Sequence, residues 1–228
     1  MSRAISINVR EGYRRWAATW DSDPSAVVAL ETRWLLPLLP NVRDKRFLDM
    51  SCGTGRWLAW ARANGALVLG TDFSAAMLSR AAAKAGLSGR LCLADSCALP
   101  VTSGWADLVL CALTLGHVAQ PEVVIAEAAR AAASGACVAI TDLHPDSCRT
   151  GWRRTFTTGG QLYSIENHPY EIPELLHAAA HRGLRLRVIL EPHFEEPERH
   201  FFNQAGKPEL FEAVCHLPAL LIAVWEKQ

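Results

Sequence analysis

The sequence has no excess of charge of either sign. Its 228 residues include 23 Lys and Arg against 23 Asp and Glu, so the formal net charge is zero. A protein that nucleic acid holds by bulk charge needs a basic excess or patch, because it must neutralise phosphates. Only two adjacent basic pairs occur, Arg14-Arg15 and Arg153-Arg154. We therefore expect no nucleic-acid partner.

Long apolar runs are also missing. No stretch approaches the ~18 apolar residues of a membrane span, and residues 1–13 lack the apolar segment of a secretory signal. The seven cysteines are odd in number and form no C-x-x-C pair, which favours free thiols over a zinc site. These absences predict a cytoplasmic protein with no membrane partner and no bound metal.

Half of the residues are apolar. Their spacing alternates along the chain between that of short buried strands and that of helices. This alternation predicts a parallel sheet with helices on both faces, and ligands bind such a sheet at the carboxyl ends of its strands. The predicted strands are 46–50, 67–71, 91–94, 106–113 and 137–141, with helices at 57–64, 74–85 and 122–133.

Different patterns flank this alternation. Residues 8–39 are predicted to be helical, with an interruption at 21–24 and a second helical stretch from Ala26 to Leu39. Tyr13, Trp16, Ala17 and Trp20 fall on one face of the first stretch. Residues 152–165 predict a β-hairpin. A helix at 171–181, a strand at 184–190, a loop at 191–204 and a last strand at 217–225 complete the predicted chain.

Residues 47–57 are the most informative segment, since they predict a buried strand, a glycine turn and a helix start. Glycines at 53 and 55 let the backbone pass close to a bound molecule, and the N–H groups of the helix suit an anionic group. Asp72 ends the next strand, seventeen residues after Gly55. A nucleotide-binding unit places its ribose-binding carboxylate at about this distance.

The glycine turn differs from the dinucleotide pattern G-x-G-x-x-G, because a single residue separates Ser51 from Gly53 and Gly53 from Gly55. The turn resembles the E/D-x-G-x-G-x-G signature of class I S-adenosylmethionine (SAM)-dependent methyltransferases. Asp49 stands in the acidic position, and Ser51 replaces the first glycine.

The resemblance extends over residues 10–145. Residues 13–21 look like the lid helix of small-molecule methyltransferases near the ubiquinone/menaquinone and biotin-pathway enzymes, in which a tyrosine commonly stands at the place of Trp20. The other segments that match the family in order are 70–78, 94–109, 113–118, 127–130 and 134–145.

The resemblance implies an α/β fold with a doubly wound, mostly parallel seven-stranded sheet, of the Rossmann-like methyltransferase type. The last strand would be antiparallel, with a helical lid before the sheet and a hairpin inserted after the fifth strand. The chain would form one methyltransferase domain, 1–228. Its parts would be the lid (1–40), a SAM-binding core (41–145) and an acceptor-side part with the hairpin, a helix and the last strands (146–228).

The same resemblance implies SAM as cofactor and S-adenosylhomocysteine as product. Asp72 would bind the ribose hydroxyls, Phe73 and Met77 would flank adenine, and Asp95 would accept from its amino group. The cofactor-binding residues so implied are Tyr13, Trp20, Asp49, Ser51, Cys52, Gly53, Thr54, Gly55, Asp72, Phe73, Met77, Asp95, Ser96, Cys97, Cys111 and Leu113.

The methyl acceptor is expected to be a small molecule. His117 and His144 follow the fourth and fifth strands, and histidine is suited to remove a proton near neutral pH. We expect the hairpin to form a wall of the acceptor pocket, and Arg153, Arg154 or Tyr163 on it could hold an anionic acceptor.

O-methylation is favoured over C-methylation, in a monomer or homodimer. Two other functions remain open. One is a non-catalytic SAM-binding partner protein, and the other is an NAD-dependent oxidoreductase, which the glycine spacing disfavours.

Overall fold

The computed structural model describes residues 4–228, which contain two β-sheets and nine α-helices. The strands are β1 Ile5–Ile7, β2 Arg46–Asp49, β3 Leu67–Asp72, β4 Leu91–Leu93, β5 Ala106–Ala112, β6 Ala132–Leu143, β7 Thr155–Thr158, β8 Gln161–Ile165, β9 Leu184–Leu190 and β10 Leu220–Lys227. The helices are α1 Val9–Trp16, α2 Ala26–Leu35, α3 Arg56–Ala63, α4 Ala75–Ala82, α5 Pro121–Ala131, α6 Pro145–Arg149, α7 Ile172–His181, α8 Glu196–Gln204 and α9 Pro208–Val214.

The larger sheet has seven strands in the order β4-β3-β2-β5-β6-β10-β9. The first five strands are parallel to one another, and β10 is antiparallel to both β6 and β9. The predicted fold class is thereby confirmed, including the antiparallel last strand. The carboxyl ends of β2, β3, β4 and β5 meet at one edge, where the glycine turn also lies.

Helices cover both faces of this sheet because its strands alternate between two apolar faces. Phe47 packs with Leu58 of α3 on one face. The next residue, Leu48, packs with Val124 of α5 and Leu175 of α7 on the other face. With both faces of the sheet covered by helices, the polar residues at the strand ends remain at the edge of the sheet.

The chain differs from the predicted elements at several boundaries. The helical region predicted at 8–39, with its interruption at 21–24, forms α1 and α2, but α1 already ends at Trp16 and α2 at Leu35. The helix predicted at 122–133 ends at Ala131 because β6 already begins at Ala132. The loop predicted at 191–204 contains α8, whose first turn is stabilised by a capping box between Glu195 and Glu198. The elements β1, α6 and α9 were not predicted from the sequence.

The hairpin β7–β8 belongs to a separate three-stranded sheet, in which β1 pairs with β8 in parallel. Helix α1 lies against this accessory sheet. Trp16 stacks on Phe156 with ring centroids 4.8 Å apart, and a Cβ atom at Gly12 would lie 2.9 Å from Cγ1 of Ile165. The accessory sheet therefore holds the segment that the sequence predicts as a lid.

Across residues 4–228, every helix is either too short or too polar to cross a membrane.

Candidate functional site

A cavity of about 400 Å³ opens at the carboxyl edge of β2, β3, β4 and β5 and extends under α1. The structure brings most of the predicted site residues together around it. The predicted residues that line the cavity are Tyr13, Trp20, Asp49, Ser51, Cys52, Gly53, Thr54, Asp72, Phe73, Met77, Asp95, Ser96, Cys97, Leu113 and His117.

The two glycines of the turn have different surroundings. Gly53 has φ +54°, and a Cβ atom there would meet no protein atom within 4 Å. It faces the cavity, so a side chain there would occupy ligand space. Gly55 has φ +81°, and a Cβ atom there would lie 2.8 Å from Cδ1 of Leu87 and 3.1 Å from Cβ of Ala81. Gly55 therefore allows α3 to pack and does not line the cavity.

Asp72 ends β3 with both carboxylate oxygens already oriented by the backbone. Oδ2 accepts the N–H of Gly53 at 2.8 Å, and Oδ1 accepts the N–H of Ser74 at 2.8 Å. Burial raises the pKa of this carboxyl. Each oxygen keeps a lone pair, so a pair of neighbouring hydroxyls could donate to Asp72.

Asp49 ends β2 and is the strongest sign that a ligand is needed. Its side chain is buried, and its Oδ1 atom has no hydrogen-bond partner. Burial raises its pKa to about 8. A buried polar atom left unpaired costs about 1–3 kcal/mol, and such atoms in native proteins call for an explanation. A cationic or N–H donor group in the cavity would supply the missing partner.

The third acid, Asp95, follows β4 and accepts the N–H of Cys97 at 2.9 Å. Because β4, β3 and β2 are neighbours in the sheet, Asp95, Asp72 and Asp49 form a row of carboxylates along one wall. Phe73 and Met77 also line the cavity and supply apolar contact. This wall fits a long ligand with an ammonium, hydroxyls and a flat ring amine, as in SAM.

Tyr13, which is on α1, meets His117 at the cavity. The Tyr13 hydroxyl is 2.7 Å from Nε2 of His117, and Nδ1 of His117 is 3.3 Å from the carbonyl oxygen of Glu166. A carbonyl only accepts, so Nδ1 carries the proton, and Nε2 accepts the proton of Tyr13. Burial lowers the pKa of His117 well below 6.5 and raises the pKa of Tyr13 to about 12. Both groups are neutral near pH 7.

The turn between β5 and His117 is held by a buried ion pair. Asp142 pairs with Arg154 and accepts the N–H of Gly116. Arg154 also donates to the carbonyl of Leu113 at 3.0 Å. Leu113 has φ +56°, a left-handed conformation that costs about 1–3 kcal/mol outside glycine. The network therefore stabilises a strained turn beside the cavity.

The hairpin side chains that the sequence suggested for holding an anionic acceptor are instead bound to other parts of the protein. Arg154 is engaged by Asp142, and Arg153 donates to the carbonyls of Cys148 and Trp152 at 2.6 and 2.7 Å. Tyr163 accepts from Arg15 at 2.9 Å. Residues 152–165 contribute no atom to the cavity lining, so the hairpin lies behind the lid and does not form a wall of this cavity.

Three predicted site residues lie away from the cavity: Gly55, Cys111 and His144. Cys111 is fully buried within β5. His144 caps α6, since its Nδ1 accepts the N–H of Asp146 at 3.2 Å, and its Nε2 lies 2.9 Å from Oε2 of Glu191. Both ring nitrogens of His144 are therefore engaged by the protein.

Sequence reasoning missed several residues around the cavity. Arg56 lines it and pairs with Glu31, which is fully buried on α2 and also accepts from Thr141. Arg56 directly follows the glycine turn, so its place at the cavity could have been predicted from the sequence. No local sequence pattern around Glu31 indicates that it lies near the cavity. The other missed lining residues are Val9, Trp57, Ala112, Thr114, Val118, Ala119 and His168. Within the described part of the chain, no three metal-ligating side chains form a cluster.

Comparisons with known proteins agree with this geometry. A family model described as "Methyltransferase domain" matches residues 48–140, which include the glycine turn and the three acids. The demethylmenaquinone methyltransferase of Thermus thermophilus is 37% identical over 106 residues. That alignment covers 44% of the chain and 48% of the Thermus protein, so it spans about half the length of this curated relative.

Two solved structures have the same fold. A SAM-dependent methyltransferase of Mesorhizobium loti superposes with a TM-score of 0.70 at 22% identity, over 89% of this chain and all of that one. The geranyl diphosphate C-methyltransferase of Streptomyces coelicolor, solved with S-adenosyl-L-homocysteine, gives a TM-score of 0.66 at 14% identity, over 88% of this chain and 79% of that one.

The resemblance drawn from the glycine turn and the strand ends is thereby confirmed. Residues 48–140 match a methyltransferase domain, and the fold is that of the solved SAM-dependent methyltransferases.

Proposed function

We propose that this chain transfers a methyl group from SAM to a small-molecule acceptor and releases S-adenosylhomocysteine. The observation that carries the proposal is the row of carboxylates Asp49, Asp72 and Asp95 on three neighbouring strand ends. The unpartnered oxygen of Asp49 is its central element. A nucleoside with a cationic amino-acid tail supplies a complementary group for each acid.

The wall of the cavity suggests which residue binds which part of SAM. We assign the ammonium group to Asp49, the ribose hydroxyls to Asp72 and the adenine amino group to Asp95. Gly53 and its neighbours Ser51, Cys52 and Thr54 would lie along the methionyl part. Phe73 and Met77 would flank the adenine, Ser96 and Cys97 would lie at its edge, and Tyr13, Trp20 and Leu113 would enclose the reactive end.

Bound SAM supplies an electrophilic methyl group on a sulfonium. The protein has to exclude water, align the acceptor and take up the acceptor's proton, and alignment alone can supply ~7–11 kcal/mol of the barrier. Nε2 of neutral His117 has a lone pair that accepts from Tyr13. A proton leaving the acceptor can pass to the Tyr13 oxygen while the Tyr13 proton moves to His117.

We favour a hydroxyl or carboxyl oxygen as the methylated atom, with an activated ring carbon as the second choice. The Tyr13–His117 pair supports a hydroxyl in particular, because its O–H could donate directly to the Tyr13 oxygen, whereas a carboxylate is already ionised near pH 7 and needs no proton acceptor. His144 is left out of the proposed mechanism, since its ring nitrogens are engaged by Asp146 and Glu191.

The test is a methyl-transfer screen with CD₃-labelled SAM and a panel of phenols, enols, carboxylic acids and amines, read by mass spectrometry. A mass gain of one labelled methyl that requires the protein is expected with an oxygen acceptor. Calorimetry in the same samples should detect SAM and S-adenosylhomocysteine but not NAD. Binding of NAD without a response to SAM would contradict the proposal. SAM binding without any transfer would favour the non-catalytic SAM-binding partner.

A further inference from the structure

The accessory sheet contacts both members of the Tyr13–His117 pair through the segments that carry them. We propose that Arg154 is a positioning residue, which acts with Asp142 to place His117 against Tyr13. The effect on rate rests on the proposed function, whereas the effect on the His117 ring can be measured without any acceptor.

Arg154 controls the turn that leads to His117. Its guanidinium donates to the carbonyl of Leu113 at 3.0 Å and pairs with Asp142. Asp142 accepts the N–H of Gly116, one residue before His117. The ion pair therefore holds both ends of the segment from Leu113 to Gly116, including the left-handed residue at its start.

The same hairpin controls the position of Tyr13. Strand β8 pairs with β1 through Ile165 and Ile7, and α1 begins two residues after Ile7. Gly12 lies directly against Ile165, and Trp16 stacks on Phe156. Tyr13 is flanked by these two contact residues on α1. The hairpin thus fixes the helix of Tyr13, and Arg154, which directly precedes β7, fixes the turn of His117.

Arg154 also contributes charge at the pair. Burial is the largest cause that lowers the pKa of His117, and the positive charge of Arg154 is the second. His168 acts in the same direction. For Tyr13, burial and the charges of Asp142 and Asp72 raise the pKa, while Arg154 opposes them. The Arg154 and Asp142 side chains are 8% and 1% exposed, so solvent screens them little.

The experiment uses ¹⁵N-histidine NMR on the full chain, with the His117 signals assigned by their loss in His117→Gln. In the parent, His117 should show one neutral tautomer, protonated on Nδ1, down to well below pH 6.5. In Arg154→Met we expect a higher His117 pKa and a mixture of tautomers. Arg153→Met is the matched control, because Arg153 donates only to the carbonyls of Cys148 and Trp152.

Removing one partner of a buried ion pair can prevent folding. The double variant Arg154→Met/Asp142→Leu removes both charges and gives a second folded sample for the same NMR measurement. An unchanged His117 pKa and tautomer in either folded variant would overturn the proposal.

Calorimetry and kinetics separate this proposal from the proposed function. SAM affinity should stay within about twofold of the parent in Arg154→Met, while kcat for an identified acceptor should fall by about 10–100-fold through misplacement of the pair. A parental kcat in Arg154→Met would contradict the positioning role. Failure of the parent to bind SAM would contradict the proposed function, while the NMR result would still decide the role of Arg154.

Discussion

The hydroxyl of Tyr13 lies 2.7 Å from Nε2 of His117, although the two residues are 104 positions apart in the chain. Tyr13 belongs to α1, and His117 ends a short 3₁₀ turn after β5. Their rings also meet edge to face, with centroids 5.2 Å apart. The hydrogen bond exists only while α1 covers the cavity. We therefore propose that closure of α1 over the cavity also assembles the proposed proton acceptor.

Tyr13→Phe should keep the aromatic contact and lose the hydroxyl that bridges the acceptor and His117. We expect SAM affinity to stay near the parental value and kcat to fall by about 10²–10⁴-fold, the typical contribution of general base catalysis. Tyr163→Phe is the control, since that hydroxyl contacts Arg15 outside the cavity. Equal turnover in Tyr13→Phe and the parent would exclude the proposed proton path.

SAM binding should release a proton near pH 7. Asp49 has a pKa of about 8 in the unliganded protein because it is buried, so it is mostly protonated at pH 7. A cationic ammonium beside it would lower this pKa and expel the proton. Calorimetry in buffers of different ionisation enthalpy should show release of up to about one proton. Asp49→Asn should abolish most of it, and buffer-independent heats in the parent would contradict the assignment of Asp49.

The same residue should make the unliganded protein less stable at higher pH. Its folded pKa of about 8 exceeds the unperturbed value of 3.8. Its stabilising contribution is therefore complete below about pH 4 and is lost as pH rises through about 8. Relative to Asp49→Asn, the melting temperature of the parent should fall over this window. Parallel melting curves for the two proteins would show that Asp49 ionises normally in the folded state.

Gly53→Ala should separate backbone strain from steric exclusion of the cofactor. Its φ of +54° makes alanine cost about 1–2 kcal/mol of stability, and the new Cβ atom would occupy the cavity. Gly89→Ala is a matched control, because Gly89 has φ +73° and also has no protein atom near a Cβ, but lies outside the cavity lining. Both variants should lose similar stability in urea unfolding. Only Gly53→Ala should lose SAM affinity in calorimetry.

Asp72→Ala should weaken SAM binding by about 1.5–3 kcal/mol for each lost charged hydrogen bond. The same change leaves the N–H groups of Gly53 and Ser74 without their acceptors, so the glycine turn should also loosen. Asp107→Ala is the control, because Asp107 likewise accepts a backbone N–H, that of Arg46, but at the opposite edge of the sheet. SAM affinity that is equal in Asp72→Ala and Asp107→Ala would show that Asp72 does not bind the ribose.

Hydrogen exchange should slow in residues 13–20 when SAM is added. The end of this segment is linked to the glycine turn, since Asp21 accepts from Thr54 at 2.6 Å and pairs with Lys84 at 3.0 Å. A ligand beside Thr54 would stabilise this closed arrangement. Asp21→Ala should exchange faster than the parent in both states. Exchange in the parent that SAM leaves unchanged would indicate a permanently packed helix.

The sequence by itself determined the central sheet and the acidic wall of the cavity. Alternating buried strands and helices leave few alternatives to a parallel sheet, and such a sheet brings its strand ends to one edge. Asp49, Asp72 and Asp95 could therefore be placed from their positions at strand ends alone. The glycine turn could also be predicted from the sequence, because positive φ at Gly53 and Gly55 is a local property of the backbone.

Only the tertiary structure decided which of the other polar side chains meet. His117 and His144 both follow a strand of the sheet, yet His117 faces Tyr13 in the cavity and His144 caps α6 beside Glu191. The hairpin that contains Arg154 was predicted correctly as a hairpin, but its pairing with β1 depends on residues about 160 positions away. Periodicity reports the face on which a residue lies, whereas these contacts depend on how distant segments pack, which no local pattern records.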